Sequence, residues 1–173
     1  MRRITIIIMV FVLLFAFSAC GDKEQAGFSE SDLIFEYNGE AFALDSDASL
    51  LVAALGEGYE FSEAVSCAYK GMDKTYSFGD IDIYTYPLDD IDRIDEIYIM
   101  SDKYSTKKGI TVGSTLDDIV EAYGESYTDL GGGMLVIAPE GTPEDTSAPC
   151  IYFIMDSDTV VEFSFYSASN RNS

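Results

Sequence analysis

Residues 51–59 read LVAALGEGY and residues 119–127 read IVEAYGESY, so one pattern occurs twice, 68 residues apart. Each copy predicts a short helix that ends at a glycine, Gly56 in the first copy and Gly124 in the second. A repeat present in only two copies indicates a duplicated unit rather than a solenoid.

Strand-like runs surround the two predicted helices. The runs lie at residues 66–69, 75–86 and 94–100 after the first helix and at residues 133–138, 150–156 and 159–167 after the second. Ahead of the first helix, Asn38-Gly39 between two apolar-aromatic runs predicts a β-hairpin. The predicted fold class is therefore α+β, with two tandem helix-plus-antiparallel-sheet repeats at residues 31–101 and 102–168. We expect them to form one curved sheet with the helices on one face.

The first nineteen residues have the composition of a secretory signal. Two arginines precede an apolar run at residues 4–17, and two small residues then lead to Cys20. The ending Phe-Ser-Ala-Cys resembles the bacterial lipobox, which implies cleavage before Cys20 and a diacylglycerol on its sulfur, with palmitate-type acyl chains. We expect residues 1–19 to be a lipoprotein signal peptide, residues 20–30 a polar tether, and the domain to be anchored at the outer face of the cell membrane. The alternative is an ordinary signal peptide with an incidental cysteine.

Composition excludes several functions. The chain has 31 acidic and 10 basic residues, for a formal net charge of −21, and it has no histidine. Such a charge repels nucleic acid and favours cationic partners. The absence of histidine removes Ser-His and Cys-His nucleophile pairs and most zinc sites. We expect no nucleic-acid binding, no cofactor and no enzymatic activity.

Two cysteines, Cys67 and Cys150, remain after Cys20. Exported thiols tend to pair, so we favour a disulfide between them. Because it would close a long loop, it would contribute roughly 4 kcal/mol of stability. The alternative is two buried thiols.

Carboxylates are clustered in three places: Asp45 and Asp47, residues 89–96, and Asp156 and Asp158. None has the spacing of a dedicated Ca²⁺ loop, so we predict no metal site, and solvated turns and helix caps explain most of these residues. A lipoprotein that binds cations or small solutes, with weak Ca²⁺ binding, is the alternative function. A carboxylate-dependent hydrolase is a further, less favoured alternative.

Aromatic strands provide the candidate binding surface. Because alternate side chains of a strand face opposite sides, residues 75–86 predict one aliphatic face and one face of aromatic rings and aspartates. Tyrosine is enriched at protein interfaces. The candidate binding residues are Tyr76, Phe78, Tyr84, Tyr86, Tyr98 and Met100. The alternative is that these rings complete the core or pair across strands.

A family resemblance comes from residues 106–124, TKKGITVGSTLDDIVEAYG. This stretch resembles the Gly-Ile-x-x-Gly…Tyr-Gly signature of small exported lipoprotein domains. Those domains share a tandem helix-then-sheet fold with the β-lactamase inhibitory protein and with the small lipoprotein of the outer-membrane barrel-assembly machinery. With residues 66–76 and 83–87, the chain is similar over residues 60–167 to exported lipoproteins of Gram-positive, clostridial-type bacteria.

The resemblance implies a binding or assembly protein rather than an enzyme. Together with the aromatic strands, it predicts a lipid-anchored extracytoplasmic module. This module would present a Tyr-rich acidic sheet face to a protein or cell-wall partner.

Overall fold

The structure of the protein is a computed structural model that describes residues 27–139 and 148–169. Cys20, the predicted signal peptide and residues 20–26 of the predicted tether lie outside the described residues. In the described ranges, no helix is both long enough and apolar enough to cross a membrane.

Ten strands and two α-helices make up the described part of the chain. In chain order they are β1 (Ile34–Tyr37), β2 (Glu40–Ala43), α1 (Ala48–Leu55), β3 (Glu60–Val65), β4 (Met72–Ser77), β5 (Ile81–Leu88), β6 (Ile91–Ile99), α2 (Leu116–Tyr123), β7 (Thr128–Gly131), β8 (Met134–Ile137), β9 (Cys150–Asp156) and β10 (Thr159–Tyr166). A 3₁₀ turn at Glu30–Leu33 precedes β1.

Eight strands form one antiparallel sheet in the order β3-β4-β5-β6-β10-β9-β8-β7. β1 and β2 form a separate hairpin. Its turn residues Asn38 and Gly39 have φ angles of 51° and 81°, as a two-residue hairpin turn requires. The hairpin prediction is confirmed.

The predicted fold class of two tandem helix-plus-sheet repeats is wrong. The described chain is mostly β: it has two helices of only eight residues each, one eight-stranded antiparallel sheet and a separate two-stranded sheet. β6 and β10 join the halves through the pairs Ile97–Phe165 and Ile99–Phe163. As separate repeats, each half would leave one of these strands as an unpaired apolar edge, and their pairing removes both edges.

Both helices begin at side-chain caps and end at the predicted glycines. The Asp47 carboxylate accepts a hydrogen bond from a backbone N–H of α1. At α2, the Thr115 hydroxyl accepts from the Asp118 N–H and the Asp118 carboxylate accepts from the Thr115 N–H, a reciprocal capping box. These hydrogen bonds from Thr115 lower the pKa of Asp118. The local signals for the two helices are confirmed.

The hydrophobic core lies between one face of the eight-stranded sheet and a layer made of α1, α2 and the β1–β2 hairpin. Leu51 of α1, Ile119 of α2 and Phe35 of the hairpin are fully buried. The sheet contributes alternate side chains to this core: Ile81, Ile83, Ile97, Ile99, Ile151, Phe153, Phe163 and Phe165. We call this side of the sheet the covered face and the opposite side the open face. Neither described helix lies on the open face.

The predicted strand at residues 75–86 is two strands. β4 ends at Ser77, and a turn follows in which Gly79 has a φ of 88° and the Phe78 N–H donates to the Ile81 carbonyl at 3.0 Å. This turn changes the alternation, so that Tyr76 pairs with Ile83 and shares its face. A single strand was predicted because the turn residues lie within an aromatic run.

Cys67 and Cys150 are not joined to each other in the structure. Cys67 is exposed, in the loop between β3 and β4, and Cys150 is buried at the start of β9. The structure therefore does not contain the predicted disulfide.

Candidate functional site: the open face of the sheet

The strand registers place two rows of side chains across the open face. The first row crosses all eight strands and contains Glu60, Ser77, Asp82, Tyr98, Ser164, Tyr152, Val136 and Thr128. The second row contains Ser62, Thr75, Tyr84, Glu96, Tyr166 and Cys150. Most of these side chains are half-buried or exposed, so this face is partly accessible to a partner.

A groove of about 300 Å³ lies on the open face. Its lining residues come from five neighbouring strands, β6 to β10: Glu96, Tyr98, Leu130, Met134, Tyr152, Ile154, Ser164 and Tyr166. In the first row the small residue Ser164 lies between Tyr98 and Tyr152. Because Ser164 is 1% exposed while both tyrosines are half-buried, it forms the floor of the groove and the two rings form its walls.

Tyrosine hydroxyls on the open face contact carboxylates. Tyr98 donates a hydrogen bond to the Glu162 carboxylate, and Tyr84 donates to Asp82 at 3.5 Å. Burial raises the pKa of both tyrosines, and neighbouring carboxylates, Glu96 among them, raise it further. Both hydroxyls are therefore protonated hydrogen-bond donors at neutral pH.

The charge on this face is negative. None of the residues in the two rows or in the groove lining is basic. Four ion pairs of the described residues lie away from these rows: Lys74–Asp92, Arg93–Asp89, Lys103–Asp80 and Lys108–Asp32. A surface whose charged groups are all acidic attracts cationic partners.

The structure separates the six predicted binding residues. Tyr98 lines the groove, and Tyr84 is its neighbour on the open face. Tyr76 lies on the covered side, where its ring centroid is 5.2 Å from that of Tyr59. The ring centroid of Phe78 is 5.3 Å from that of Tyr59. Of these four residues, only Tyr84 and Tyr98 therefore lie on the open face.

Tyr86 and Met100, the other two predicted residues, lie outside the groove. Tyr86 is 2% exposed, its hydroxyl donates to the Asp45 carboxylate at 2.8 Å, and its ring stacks on Tyr69. Met100 follows β6, and its N–H donates to the Asp80 carbonyl. Tyr86 has a packing role, which was the alternative interpretation.

The second half of the chain supplies groove residues that sequence reasoning missed. Tyr152 and Ile154 alternate in β9 with the buried Ile151 and Phe153, and that alternation was visible in the sequence. The sequence does not show the strand register, and it is the register that places Tyr152 beside Ser164.

Several carboxylates of the three clusters bind other groups of the same chain. Asp47 caps α1, Asp92 pairs with Lys74 at 2.7 Å, and Asp45 accepts from Tyr86. Within residues 27–139 and 148–169, no group of three or more Cys, Asp or Glu side chains is placed to hold a metal ion.

The raised pKa values of buried tyrosines predict that the protein loses stability at alkaline pH. Burial, followed by the nearby Asp80 charge, raises the pKa of Tyr104 to about 12, and burial also raises the pKa of Tyr86 and Tyr98. A raised folded-state pKa contributes stability that is complete below pH ~10 and is lost as the pH rises toward 12. We expect absorbance at 295 nm to show that at least Tyr86, Tyr98 and Tyr104 ionise above pH 10, together with the unfolding that circular dichroism reports. Ionisation of all twelve near pH 10 in a folded protein would contradict this.

Comparison with known proteins gives little further information. No protein-family model matches the chain, and no curated protein matches it. Among solved structures, it is similar to the uncharacterized protein yfeY from Escherichia coli, with 11% identity over 72% of this chain and 92% of that chain and a TM-score of 0.39. A similarity this weak supports no inference about function.

Proposed function

We propose that this protein is a non-catalytic binding or assembly module that holds a protein or cell-wall partner on the open face of its sheet. The observation that carries the proposal is the groove with tyrosine walls and acidic neighbours. The lipobox-like sequence at Cys20 supports the further proposal that the module is lipid-anchored and extracytoplasmic. The lipoprotein resemblance supports the same assignment.

The size of the open face suits a macromolecular partner. Eight strands spaced by about 4.8 Å give a surface about 34 Å wide, which is wide enough for the ~800 Å² that each side of a standard protein interface buries. The groove would receive one or two side chains of that partner. Clefts near the centre of an interface are where tyrosine anchors contribute most of the binding energy.

The tyrosine hydroxyls of the open face are suited to hydrogen bonding rather than to acting as general bases. A general base must accept a proton near the working pH. The raised pKa of Tyr84 and Tyr98 keeps both hydroxyls protonated at neutral pH. They are suited to donating hydrogen bonds to a partner.

Replacing three half-buried tyrosines of the open face tests the proposal. We expect the Tyr84→Ala/Tyr98→Ala/Tyr152→Ala variant to bind its partner at least tenfold more weakly, because anchor residues each contribute more than about 1 kcal/mol. The full chain, solubilised in detergent, would first capture the partner from host membranes and wall extract. The affinity of wild type and variant for that purified partner would then be measured by surface plasmon resonance.

The matched control is Tyr59→Ala/Phe61→Ala, which removes two exposed aromatic rings from the other side of the sheet. We expect this control to keep wild-type affinity. Circular dichroism would establish that both variants are folded. A folded triple variant with unchanged affinity, or an equal loss in the control, would refute a binding role for the open face.

A further inference from the structure

The open face is divided into two chemically different halves. Over β3–β6 its rows contain hydroxyl and carboxyl groups: Ser62, Thr75, Ser77, Asp82 and Glu96. Over β7–β9 the groove lining is mostly apolar: Leu130, Met134, Tyr152 and Ile154. A partner that covers both halves must itself be amphipathic.

Two carboxylates flank Tyr98 at the boundary between these halves. Asp82 is its register neighbour on β5, and Glu162 accepts its hydroxyl hydrogen bond. Among the described residues, neither carboxylate has a lysine or arginine partner. One oxygen of Asp82 has no hydrogen-bond partner, and the other accepts only the 3.5 Å contact from Tyr84. The acidic charge beside the groove is therefore not neutralised by a basic side chain of the described chain.

The face of the Tyr98 ring is a second feature that would attract a cationic side chain of a partner. A lysine or arginine over a tyrosine face is attracted by the ring and more strongly when carboxylates are near. Tyr98 is half-buried, so its ring retains some access to solvent. On the other side of the groove, Leu130 is 40% exposed and offers apolar surface that a partner would cover.

We infer that the open face binds a basic amphipathic protein segment, with a lysine or arginine beside Tyr98 and Asp82 and large apolar side chains in the groove beside Met134 and Ile154. This inference rests on the proposed function and specifies the chemistry of its partner. Three strand spacings, about 14 Å, separate β6 from β8. In an extended segment this is close to the distance between residues i and i+4, which point to the same side.

Short peptides test the inference directly. The probes are fluorescein-labelled KSKSLSL, which has both features on one side of an extended chain; ESESLSL, which reverses the charge; and KSKSSSS, which lacks the apolar side chains. Each would be titrated with the full chain in detergent at 0.15 M salt, where charges more than about 8 Å apart are largely screened. We expect fluorescence anisotropy to show binding of KSKSLSL, and at least tenfold weaker binding of the other two.

Variants then locate the binding. We expect Asp82→Asn/Glu162→Gln to weaken KSKSLSL binding about tenfold. The matched control, Asp117→Asn/Glu121→Gln, removes two exposed charges from α2 and should change it less than twofold. Equal binding of ESESLSL, no binding of KSKSLSL, or an equal effect of the control would overturn the inference. If the triple tyrosine variant still lost its partner in those cases, the proposed function would stand without this partner chemistry.

Discussion

We expect Phe35→Ala to lower the free energy of unfolding by about 3–5 kcal/mol, the usual cost of truncating a buried phenylalanine. Phe35 in β1 is fully buried, and its ring lies 5.9 Å from that of Tyr104 and 6.0 Å from that of Phe165. The β1–β2 hairpin is not part of the eight-stranded sheet, so side-chain packing of this kind attaches it to the core. Since domains are stable by only about 5–15 kcal/mol, the loss would be a large fraction of the total. Urea unfolding followed by circular dichroism would measure it.

The matched control for this prediction is Phe61→Ala in the edge strand β3. Phe61 is 51% exposed, and its aromatic contact is with Tyr76 at 5.3 Å. We expect its truncation to cost about 1 kcal/mol or less. Equal losses for Phe35→Ala and Phe61→Ala would mean that the hairpin does not close the core.

We expect Lys108→Met to cost about 3–5 kcal/mol, because it would leave a buried carboxylate without its cation. The Lys108 ammonium lies 3.9 Å from the Asp32 carboxylate, and the two side chains are 7% and 1% exposed. The ammonium also donates to the carbonyls of Gly27 and Ala122 and lies 5.1 Å from the centre of the Tyr123 ring. This one side chain therefore connects the segment before β1 to α2. The measurement is again urea unfolding.

Two further variants separate the charge effect from a general effect of the substitution. Lys107→Met changes the exposed neighbour and should stay within about 0.5 kcal/mol of wild type. The double variant Asp32→Leu/Lys108→Met removes both charges and should be more stable than Lys108→Met alone. A Lys108→Met protein as stable as Lys107→Met would show that the buried pair contributes nothing.

Local signals in the sequence predicted local structure correctly. Gly56 and Gly124, which end the two predicted helices, lie directly after the last residues of α1 and α2. The Asn38-Gly39 turn needs only its own two residues and their flanks. Each of these features is decided by residues that are close together in the chain.

Long-range features could not be predicted in the same way. The pairing of β6 with β10 joins residues more than sixty positions apart, and no local signal indicated that these two strands are neighbours in the sheet. The groove depends on the same pairing, because only the registers bring Tyr98, Ser164 and Tyr152 together. The turn at Gly79 reversed the predicted face of Tyr76, since a one-residue change in alternation moves every side chain to the other side.

The central position of β10 has a kinetic consequence. β10 is the last described strand, yet it lies between β6 and β9 in the middle of the sheet. Non-local pairing of this kind requires closure of a long loop before it yields contacts, which places sheet proteins in the millisecond-to-second range of folding times. Until β10 is in place, both β6 and β9 are open apolar edges, and such edges can pair with other chains. Partly folded molecules of this protein will therefore be most prone to aggregate through the centre of the sheet rather than through its native edges.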